Sequence, residues 1–286
     1  MRRVLAVDLG GTKTAIARVD ADGAIRDHRT VPAAHDFEAC VAQISEACEG
    51  VTAAGIVVPG IYDESTGRAW CPNLWGSDER PLREALRQRL NIETFIDSDR
   101  SGHVLGEAWL GAARGLRHVV FVAIGTGIGV GILSEGRVLR GAGGIAGAAG
   151  WFALNPDWQD EYRQTGCWEA EAAGPGVARF AGLPDGQAVV ASARAGNGAA
   201  LAALHRAADY TAMGIANLIS LLNPEAVVLG GGFMVGAGDL MVDRIRSGVI
   251  RWAQPIAASR CRIDLTQLGE DAGLLGAARL ALDGTR

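Results

Sequence analysis

The chain lacks the features of several large protein classes. No segment reaches the roughly 18 uninterrupted apolar residues of a membrane span, so no membrane partner is expected. Lysine and arginine (27) are outnumbered by aspartate and glutamate (32) and form no basic run, which argues against a nucleic-acid partner. The basic residues near the N-terminus precede a short apolar run that Asp8 interrupts, so we expect no export signal and a cytoplasmic location.

Cysteine is scarce and shows no pairing pattern. The five cysteines are odd in number, scattered, and form no CxxC pair, which indicates free thiols in a reducing compartment. Glycine is abundant, with 40 of 286 residues, but it follows no three-residue period, which excludes a collagen helix. The remaining composition, 49% apolar and 21% charged, is that of a globular protein.

Two parts of the chain begin with the same pattern of a strand, a glycine-threonine turn and a return strand. The first covers residues 3–19 and the second covers residues 118–134. Further predicted strands are 24–31, 53–58, 93–96, 137–139 and 226–229, and predicted helices are 36–49, 81–90, 101–112, 199–222 and 272–282. Residues 141–150 are interpreted as a functional loop, and 191–203 as a surface turn that leads into a helix. Hairpins followed by helix-linked strands predict two α/β domains with a cleft between them.

Three glycine-rich turns, each placed directly after a strand, predict a nucleotide site. Such turns leave backbone N–H groups free and let phosphate oxygens approach closely. The turns are Asp8-Leu9-Gly10-Gly11-Thr12-Lys13, Gly125-Thr126-Gly127 and Gly230-Gly231-Gly232. The Asp8 carboxylate is a candidate ligand for Mg²⁺, directly or through water, whereas Lys13 either contacts phosphate or is solvated. One such turn alone is more typical of an ordinary β-turn. Three together favour a nucleotide, and none matches the P-loop or the dinucleotide fingerprint.

A series of motifs, in order along the chain, resembles the ROK family of sugar kinases. The motifs are Asp8-Leu9-Gly10-Gly11-Thr12, Pro59-Gly60, Pro72-Asn73-Leu74, Asp97-Ser98-Asp99 before Leu105-Gly106-Glu107, Gly125-Thr126-Gly127-Ile128-Gly129, Gly141-Ala142-Gly143-Gly144-Ile145-Ala146-Gly147, Gly166-Cys167-Trp168-Glu169, Asn223-Pro224 with Gly230-Gly231-Gly232, and Ala272-Gly273-Leu274-Leu275-Gly276-Ala277-Ala278. The resemblance runs from residue 3 to about residue 280.

The resemblance implies an α/β protein with the two-domain actin-like ATPase (ribonuclease H-like) fold. ATP and Mg²⁺ would occupy the cleft between the domains, with a hexose beside them. The implied N-terminal α/β domain covers residues 1–112, with the helix in residues 272–286 packing back on it, and the larger C-terminal α/β domain covers residues 113–271. The implied reaction transfers the γ-phosphate of ATP to a hexose hydroxyl, the 6-hydroxyl in particular, and the implied assembly is a homodimer. The implied cofactor-binding residues are Asp8, Gly10, Gly11, Thr12, Lys13, Gly125, Thr126, Gly127, Gly230, Gly231 and Gly232.

By its place in the motif series, Asp99 resembles the catalytic base of the family. A carboxylate aimed at a sugar hydroxyl can orient it and accept its proton as the phosphoryl group transfers. Two alternatives stay open at this point. Asp99 would otherwise be the N-cap of the helix that follows. If the segment is extended, Asp97 points to the same side as Asp99, and the two residues would be able to exchange roles.

The resemblance also implies a set of residues that line the sugar pocket. These are Gly60, Asn73, Ser98, Asp99 and Glu169. Sugar recognition needs hydrogen-bonding groups matched to the ring hydroxyls, which polar side chains in this set supply.

Four residues in or near this set carry open interpretations. Asn73 is alternatively a turn residue, and Glu169 is alternatively a solvated acid at a helix start. Trp75 would either stack on the sugar or pack in the core. His103, on the helix after Asp99, would either face the cleft or be an ordinary surface or core histidine, and the second interpretation is favoured.

The sequence departs from the family on the sugar side. Where the family has GExGH, the chain has Gly147-Ala148-Ala149-Gly150-Trp151. Ala148 and Trp151 therefore occupy the positions of a sugar-binding glutamate and histidine, and we expect both to line a more apolar sugar pocket. Unmatched hydroxyls are costly, so this change favours a modified hexose, such as an amino- or deoxy-hexose, over glucose. Kanosamine kinases of this family are one such possibility.

The zinc motif of the family, CxCGxxGC, is also incomplete. Only Gly166 and Cys167 remain, and the two earlier cysteine positions hold Asp160 and Tyr162. A tetrahedral structural zinc needs four good ligands, so zinc is predicted absent. We expect Asp157, Asp160, Glu161 and Tyr162 to form a solvated loop instead.

The motifs on the phosphate side are intact, which favours a changed substrate over loss of activity. The alternative function is a catalytically degenerate protein of this family that binds or senses a sugar. Repressors of the family carry a helix-turn-helix before the first phosphate turn. The chain begins two residues before its first strand, so a repressor is not expected.

Overall fold

The computed structural model describes residues 3–48 and 50–284. Residue 49, where the predicted helix 36–49 ends, lies outside the described residues, as do residues 1, 2, 285 and 286 of the predicted N-terminal domain. The described residues divide into two compact units. Unit 1 comprises those within Met1–Arg114, Val138–Ala146 and Glu270–Arg286, and unit 2 comprises those within Gly115–Arg137 and Gly147–Gly269.

Strands and helices alternate along both units. The strands are β1 (Arg3–Leu9), β2 (Lys13–Asp20), β3 (Ile25–Pro32), β4 (Ala53–Val58), β5 (Ile61–Asp63), β6 (Arg68–Trp70), β7 (Glu93–Ser98), β8 (Val119–Ile124), β9 (Ile128–Ser134), β10 (Arg137–Val138), β11 (Ala226–Gly230) and β12 (Arg262–Leu265). The helices are α1 (Phe37–Ala47), α2 (Pro72–Trp75), α3 (Leu82–Arg89), α4 (Asp99–Leu110), α5 (Tyr162–Thr165), α6 (Cys167–Ala172), α7 (Gly174–Ala181), α8 (Gly186–Arg194), α9 (Gly198–Leu222), α10 (Gly232–Trp252), α11 (Pro255–Arg260) and α12 (Asp271–Gly284). Short 3₁₀ turns cover Ala142–Gly144 and Ala149–Trp151. Across the described ranges, no helix combines the length and apolar character needed to span a bilayer.

Unit 1 is built on a mixed sheet with the strand order β3-β2-β1-β4-β7. Strands β1, β4 and β7 are parallel neighbours, whereas β2 and β3 return antiparallel to β1. Every residue of β4 is buried, as expected of a parallel strand covered on both faces. The register sets Asp8 of β1 opposite Val57, and Val57 opposite Asp97 of β7. The carboxyl ends of three strands therefore meet at one edge, where α/β proteins commonly bind ligands.

The C-terminal helix α12 packs on α4 and on strands β1 and β4 of unit 1. Glycines allow the two helices to touch through their backbones. A Cβ on Gly276 would lie 1.8 Å from the Gly102 carbonyl oxygen, and one on Gly106 would lie 2.3 Å from the Ala272 carbonyl oxygen. No side chain fits at these positions, so the carboxyl edge of the sheet is supported by direct helix–helix backbone contact.

Unit 2 repeats the strand pattern in a sheet of order β10-β9-β8-β11-β12. Strands β8, β11 and β12 run parallel, and β9 returns antiparallel to β8. Helix α9 begins at an Asn197 cap, whose side chain accepts from the Ala199 and Ala200 amides, and ends at Asn223 in the left-handed region before a proline. Helices α9 and α10 pack together and line a core that contains the fully buried Trp168.

Most predicted elements are present, with boundaries shifted by a few residues. The strand predicted at 93–96 continues to Ser98, and α4 begins at Asp99 rather than Ser101 because Ser98 caps the helix. The surface turn predicted over 191–203 is wrong for its first part. Helix α8 continues to Arg194, and the turn is confined to residues 195–197.

The close approach of α12 to α4 predicts that Gly276→Ala destabilises the protein. The added Cβ meets a backbone carbonyl that cannot swing away, so we expect the free energy of unfolding to fall by about 2–3 kcal/mol. Gly236→Ala is the matched control, because Gly236 lies within α10 with no atom within 4 Å of an added Cβ. Its better helix propensity should raise the free energy of unfolding by about 0.5–1 kcal/mol. Urea unfolding followed by circular dichroism measures both variants, and equal effects would contradict the packing argument.

Candidate functional site

Asp8 and Asp99 lie together at the carboxyl edge of the unit 1 sheet and form the charged centre of the candidate site. Loss of solvent raises the pKa of Asp8 to about 6, and the nearby Asp99 carboxylate adds to the rise, while His103 and Lys13 oppose it. Burial likewise raises the pKa of Asp99, against the opposing charges of His103 and Arg100. Both groups are therefore weaker acids than an exposed aspartate, which is typical of functional sites.

Asp8 is held between strand β1 and the first turn of helix α12. A Cβ on Gly273 would lie 2.2 Å from Asp8 Oδ2, so only glycine leaves room for the carboxylate. The start of a helix is a favourable place for a negative charge. Carboxylate oxygens are ligands that Mg²⁺ prefers, and this position is compatible with the predicted metal role of Asp8.

The first glycine turn is closed by its own backbone. The Gly10 amide donates to the Lys13 carbonyl oxygen at 2.9 Å, and a Cβ on Gly10 would lie only 2.6 Å from the same oxygen. Gly11 is half-buried and Thr12 is exposed. The Lys13 ammonium pairs with Glu270 at 2.5 Å. Lys13 is therefore more than a solvated residue, since its charge also acts on the Asp8 carboxylate.

Asp99 is the first residue of α4, and the cap of this helix is Ser98. The Ser98 hydroxyl accepts from the Ser101 amide at 3.4 Å and lies 3.1 Å from the Ser101 hydroxyl. Asp99 Oδ1 accepts instead from the Arg100 amide at 2.7 Å, which orients the carboxylate. The interpretation of Asp99 as the N-cap is therefore wrong. Ser98, which the family resemblance places against the sugar, is buried and uses its hydroxyl in the cap.

Asp97 is engaged by a different set of partners. It is 2% exposed and accepts hydrogen bonds from Arg140 Nε and from the Ser98 amide, at 2.7 and 2.8 Å. Arg140 Nη2 also lies 2.7 Å from Asp97 Oδ2, so two nitrogens of one guanidinium share this oxygen, while Oδ1 accepts from the Ser98 amide. Asp97 thereby anchors segment 138–146 to the end of β7. An exchange of roles between Asp97 and Asp99 is not supported, because Asp99 begins a helix and Asp97 is fully used by the anchor.

Gly60 and Asn73 lie in segments that follow strands of unit 1. A Cβ on Gly60 would lie 2.1 Å from the Trp70 carbonyl oxygen, so this position presents backbone alone. Asn73 is exposed and belongs to helix α2 rather than to a turn. Its Cβ lies 4.0 Å from the place of a Cβ on Gly11, so Asn73 borders the first glycine turn.

Two further residues of unit 1 differ from the sequence-based interpretations. Trp75 is 8% exposed and packs edge-on against Phe37, with ring centroids 5.5 Å apart, so its place is the core and the stacking interpretation is wrong. His103 acts electrostatically on both Asp8 and Asp99, although it was expected to be an ordinary histidine. Its spacing of four residues from Asp99 on a helix is the sequence signal that would have placed it on the same face.

The two glycine turns of unit 2 meet at the carboxyl ends of the parallel strands β8 and β11. A Cβ on Gly125 would lie 3.7 Å from the Gly232 amide nitrogen. The Gly125 amide donates to the Gly127 carbonyl oxygen at 2.9 Å and closes the first turn, at which Thr126 is exposed. Gly231, in the left-handed region with φ of 88°, caps α10, and Gly230 precedes it at the end of β11. Free amides in the first turn of a long helix suit phosphate oxygens.

Glu169 of helix α6 lies against the second glycine turn. Its Oε2 accepts from the Ile128 amide at 2.7 Å. A Cβ on Gly127 would lie 2.6 Å from this oxygen, and one on Gly150 would lie 3.1 Å from it. Burial raises the pKa of Glu169, and the Ile128 amide partly offsets the rise. The alternative of a solvated acid at a helix start is therefore wrong.

Ala148 and Trp151 flank the residues that pack on Glu169. Both are exposed, Trp151 by 57%. Gly150, between them, is the residue that contacts the Glu169 carboxylate. An exposed indole offers a face on which the apolar side of a sugar ring can pack.

The segment compared above with a zinc motif folds around a tyrosine. Cys167 is buried and Asp160 is exposed. Tyr162 is 3% exposed and donates its hydroxyl to Glu171, so the expectation that it lies in a solvated loop is wrong. Among residues 3–48 and 50–284, no group of three or more histidine, cysteine, aspartate or glutamate side chains is arranged to hold a metal ion. The absence of zinc stays a prediction.

The raised pKa of Asp8 predicts that stability depends on pH. The pKa of the Asp8 carboxyl is 3.8 in the unfolded chain and about 6 in the folded protein. Below pH 3.8 the carboxyl is protonated in both states and does not oppose folding. Stability is lost as the pH rises through the folded pKa. Asp8→Asn, which cannot ionise, should therefore gain stability relative to the wild type by about 3 kcal/mol as the pH rises from about 4 to about 7, and the difference should then level off. Urea unfolding in metal-free buffer measures the difference.

Asp20→Asn is the matched control for this pH profile. Hydrogen bonding and charge from Arg3 lower the pKa of Asp20, with Arg26 contributing, so Asp20 is ionised throughout the upper part of the window. From about pH 5 to pH 8, the difference between Asp20→Asn and the wild type should be flat. An equally flat difference for Asp8→Asn would contradict the assigned pKa.

Comparison with known proteins agrees with this geometry. The sequence model described as the ROK family matches residues 4–284. A glucokinase of Thermotoga maritima is 32% identical, over 97% of this chain and 96% of its own length. An N-acetylmannosamine kinase of Escherichia fergusonii is also 32% identical, over 97% of both chains.

The solved structures give the same result for the fold. A ROK family glucokinase from Streptomyces griseus, in complex with glucose and AMPPNP, superimposes with a TM-score of 0.81 and 29% identity over 99% of this chain and 100% of that chain. The predicted α/β fold of the actin-like ATPases is thereby confirmed. The family match over nearly the whole length confirms the predicted family as well, and the chain belongs to the ROK family.

Proposed function

We propose that this protein is an ATP-dependent sugar kinase that transfers the γ-phosphate of ATP to a hydroxyl of a hexose, the 6-hydroxyl in particular. The observation that carries the proposal is the pair of electrostatically coupled carboxylates, Asp8 and Asp99, beside a glycine turn at the carboxyl edge of the unit 1 sheet. Membership of the ROK family and the similarity to a glucokinase and an N-acetylmannosamine kinase support the proposal.

Asp99 acts in this proposal as the general base. A sugar hydroxyl is a weak nucleophile, and a fixed carboxylate orients it and accepts its proton as the new bond to phosphorus forms. The Arg100 amide holds the carboxylate in place. The raised pKa of Asp99 makes its ionised form a stronger base than an exposed aspartate.

Asp8 is the residue that would hold Mg²⁺, directly or through water. The site fits a cation, because the desolvated Asp8 carboxylate lies beside a second carboxylate and is only partly offset by His103 and Lys13. When bound, the ion supplies positive charge to the phosphate oxygens of the nucleotide. Within unit 1, the Gly10–Lys13 turn offers backbone amides suited to phosphate oxygens. Within unit 2, the Gly125–Gly127 turn and the start of α10 offer amides of the same kind.

We infer further that the preferred sugar is a modified hexose, such as an amino-hexose. Glu169 is preserved and its carboxylate accepts from the Ile128 amide, and in this proposal that carboxylate binds a ring hydroxyl. Ala148 offers no side-chain hydrogen bond, and Trp151 offers a ring face and one N–H donor. A glucose hydroxyl left without its partner in such a pocket costs about 1–3 kcal/mol.

The assignment of Asp99 predicts a large loss of turnover in Asp99→Asn. The amide cannot accept the proton, so kcat for the best sugar should fall by about a thousandfold, while sugar affinity changes little. Asp22→Asn, in the exposed turn between β2 and β3, is the matched control and should keep wild-type turnover. A coupled assay for ADP measures both. If Asp99→Asn keeps its turnover, Asp99 is not the general base. If the wild-type protein binds sugar without consuming ATP, the result supports the sugar-sensing alternative.

The assignment of Ala148 and Trp151 predicts the order of substrates. The wild type should have a higher kcat/KM for an amino- or deoxy-hexose than for glucose, and Ala148→Glu with Trp151→His should raise the glucose value by about tenfold. Trp252→His, at a tryptophan that is 60% exposed at the end of α10, is the control and should leave the ratio unchanged. A panel of hexoses with ATP gives the order, and NMR of the product identifies the phosphorylated hydroxyl. A plain wild-type preference for glucose contradicts the modified-hexose assignment.

A further inference from the structure

Helix α6 carries two carboxylates that point in nearly opposite directions. Glu169 and Glu171 are two residues apart, which corresponds to about 200° around the helix axis. Glu169 faces the second glycine turn, where it accepts from the Ile128 amide. Glu171 is 5% exposed, accepts from the Tyr162 hydroxyl and pairs with Arg206. A helix of six residues is thereby held by one carboxylate on each side.

Tyr162 is the centre of the buried side of this arrangement. Its hydroxyl donates to Glu171 and accepts from Asn155 Nδ2 at 2.9 Å. Burial and the bond to Glu171 raise the pKa of Tyr162, so the hydroxyl stays protonated and remains a donor at neutral pH. We call Asn155, Tyr162, Glu171 and Arg206 the Tyr162 network.

Arg206 ties the Tyr162 network to the longest helix of unit 2. It belongs to α9, and its guanidinium lies over the Phe180 ring at 4.6 Å and over the Tyr210 ring at 4.8 Å. A planar cation between two rings has little freedom to rotate. A buried carboxylate paired with such a fixed cation has a defined position, and breaking one partner leaves an unpaired buried charge.

A second connection, through Arg179, links helix α6 to the residues just before α5. Arg179 Nη2 donates to the Ala170 carbonyl oxygen at 2.9 Å, and its guanidinium also pairs with Glu161, the residue before Tyr162. Gly166 joins α5 to α6, and a Cβ there would lie 2.7 Å from the Trp151 Cα. Side chains therefore fix segment 155–166 to helix α6, and the turn at Trp151 packs on Gly166 through backbone atoms.

We propose that Tyr162 and Glu171 are positioning residues for Glu169, and thus determine how tightly the protein binds its sugar. The bonds of Tyr162 and Arg206 set the rotation of α6, and this rotation directs Glu169 at the Ile128 amide and at the sugar. This proposal rests on the proposed function of the site, in which Glu169 contacts a ring hydroxyl. A contact to a ring hydroxyl away from the reacting atoms affects binding of substrate and transition state equally, so it changes KM and leaves kcat unaltered.

Tyr162→Phe tests the proposal, because it removes the hydroxyl and keeps the ring that packs on Trp158. We expect the sugar KM to rise about tenfold, with kcat within about twofold and the ATP KM unchanged. We also expect hydrogen exchange of the Ile128 amide to become about tenfold faster, because that amide is bonded to Glu169. Tyr210→Phe is the matched control. It removes a hydroxyl from a ring that also contacts Arg206 but lies outside the Tyr162 network, and both quantities should stay at wild-type values.

The two readouts separate failure of this proposal from failure of the proposed function. Exchange at Ile128 is measured on the protein without any substrate, so a wild type that phosphorylates no sugar refutes the kinase assignment and leaves the positioning test intact. If Tyr162→Phe and Tyr210→Phe show the same Ile128 exchange, the positioning role is overturned. A fall of kcat with rises in both KM values, at unchanged Ile128 exchange, also overturns it, because that pattern reports a general structural role.

Discussion

The site depends on the cost of holding two carboxylates away from water at one edge of a sheet. The parallel strands β1, β4 and β7 end side by side, so the residues that follow them lie close together. Desolvation raises the pKa of Asp8 and of Asp99, and His103 opposes the rise at both. Because nearby positive charge only partly offsets the cost of ionising these two carboxyls, a cation or a hydroxyl that donates a hydrogen bond is a favourable ligand here. The same constraint that weakens the fold locally is therefore what gives this edge its proposed chemistry.

The abundance of glycine follows from close packing around this edge more than from flexibility. Gly273 leaves room for the Asp8 carboxylate, and Gly276 lets α12 rest on the backbone of α4. In unit 2, Gly127 and Gly150 make the space that Glu169 occupies. Each of these positions replaces a side chain with a backbone or carboxylate contact, so a methyl group at any of them displaces a functional oxygen or a supporting helix.

Unit 2 positions its carboxylate by a different means. Glu169 lies on a helix too short to be rigid by itself, and its orientation comes from the opposite face, where Glu171 meets Tyr162 and Arg206. A buried ion pair of this kind adds little stability but defines one geometry, because every alternative leaves a charge unpaired in a region of low dielectric constant. The same short helix therefore fixes Glu169 at the glycine turn and places the polar contacts of Glu171 in the core.

The sequence by itself determined the features that depend on neighbouring residues. The strands, the glycine turns after them, the capped helix α9 and the place of Asp99 directly after a strand are local patterns of periodicity and turn chemistry. The tertiary structure alone decided what depends on distant partners. Asp97 became an anchor because Arg140, 43 residues away, reaches it. Trp75 joined the core and Tyr162 turned inward, because burial and charge pairing are set by contacts between segments that no local pattern records.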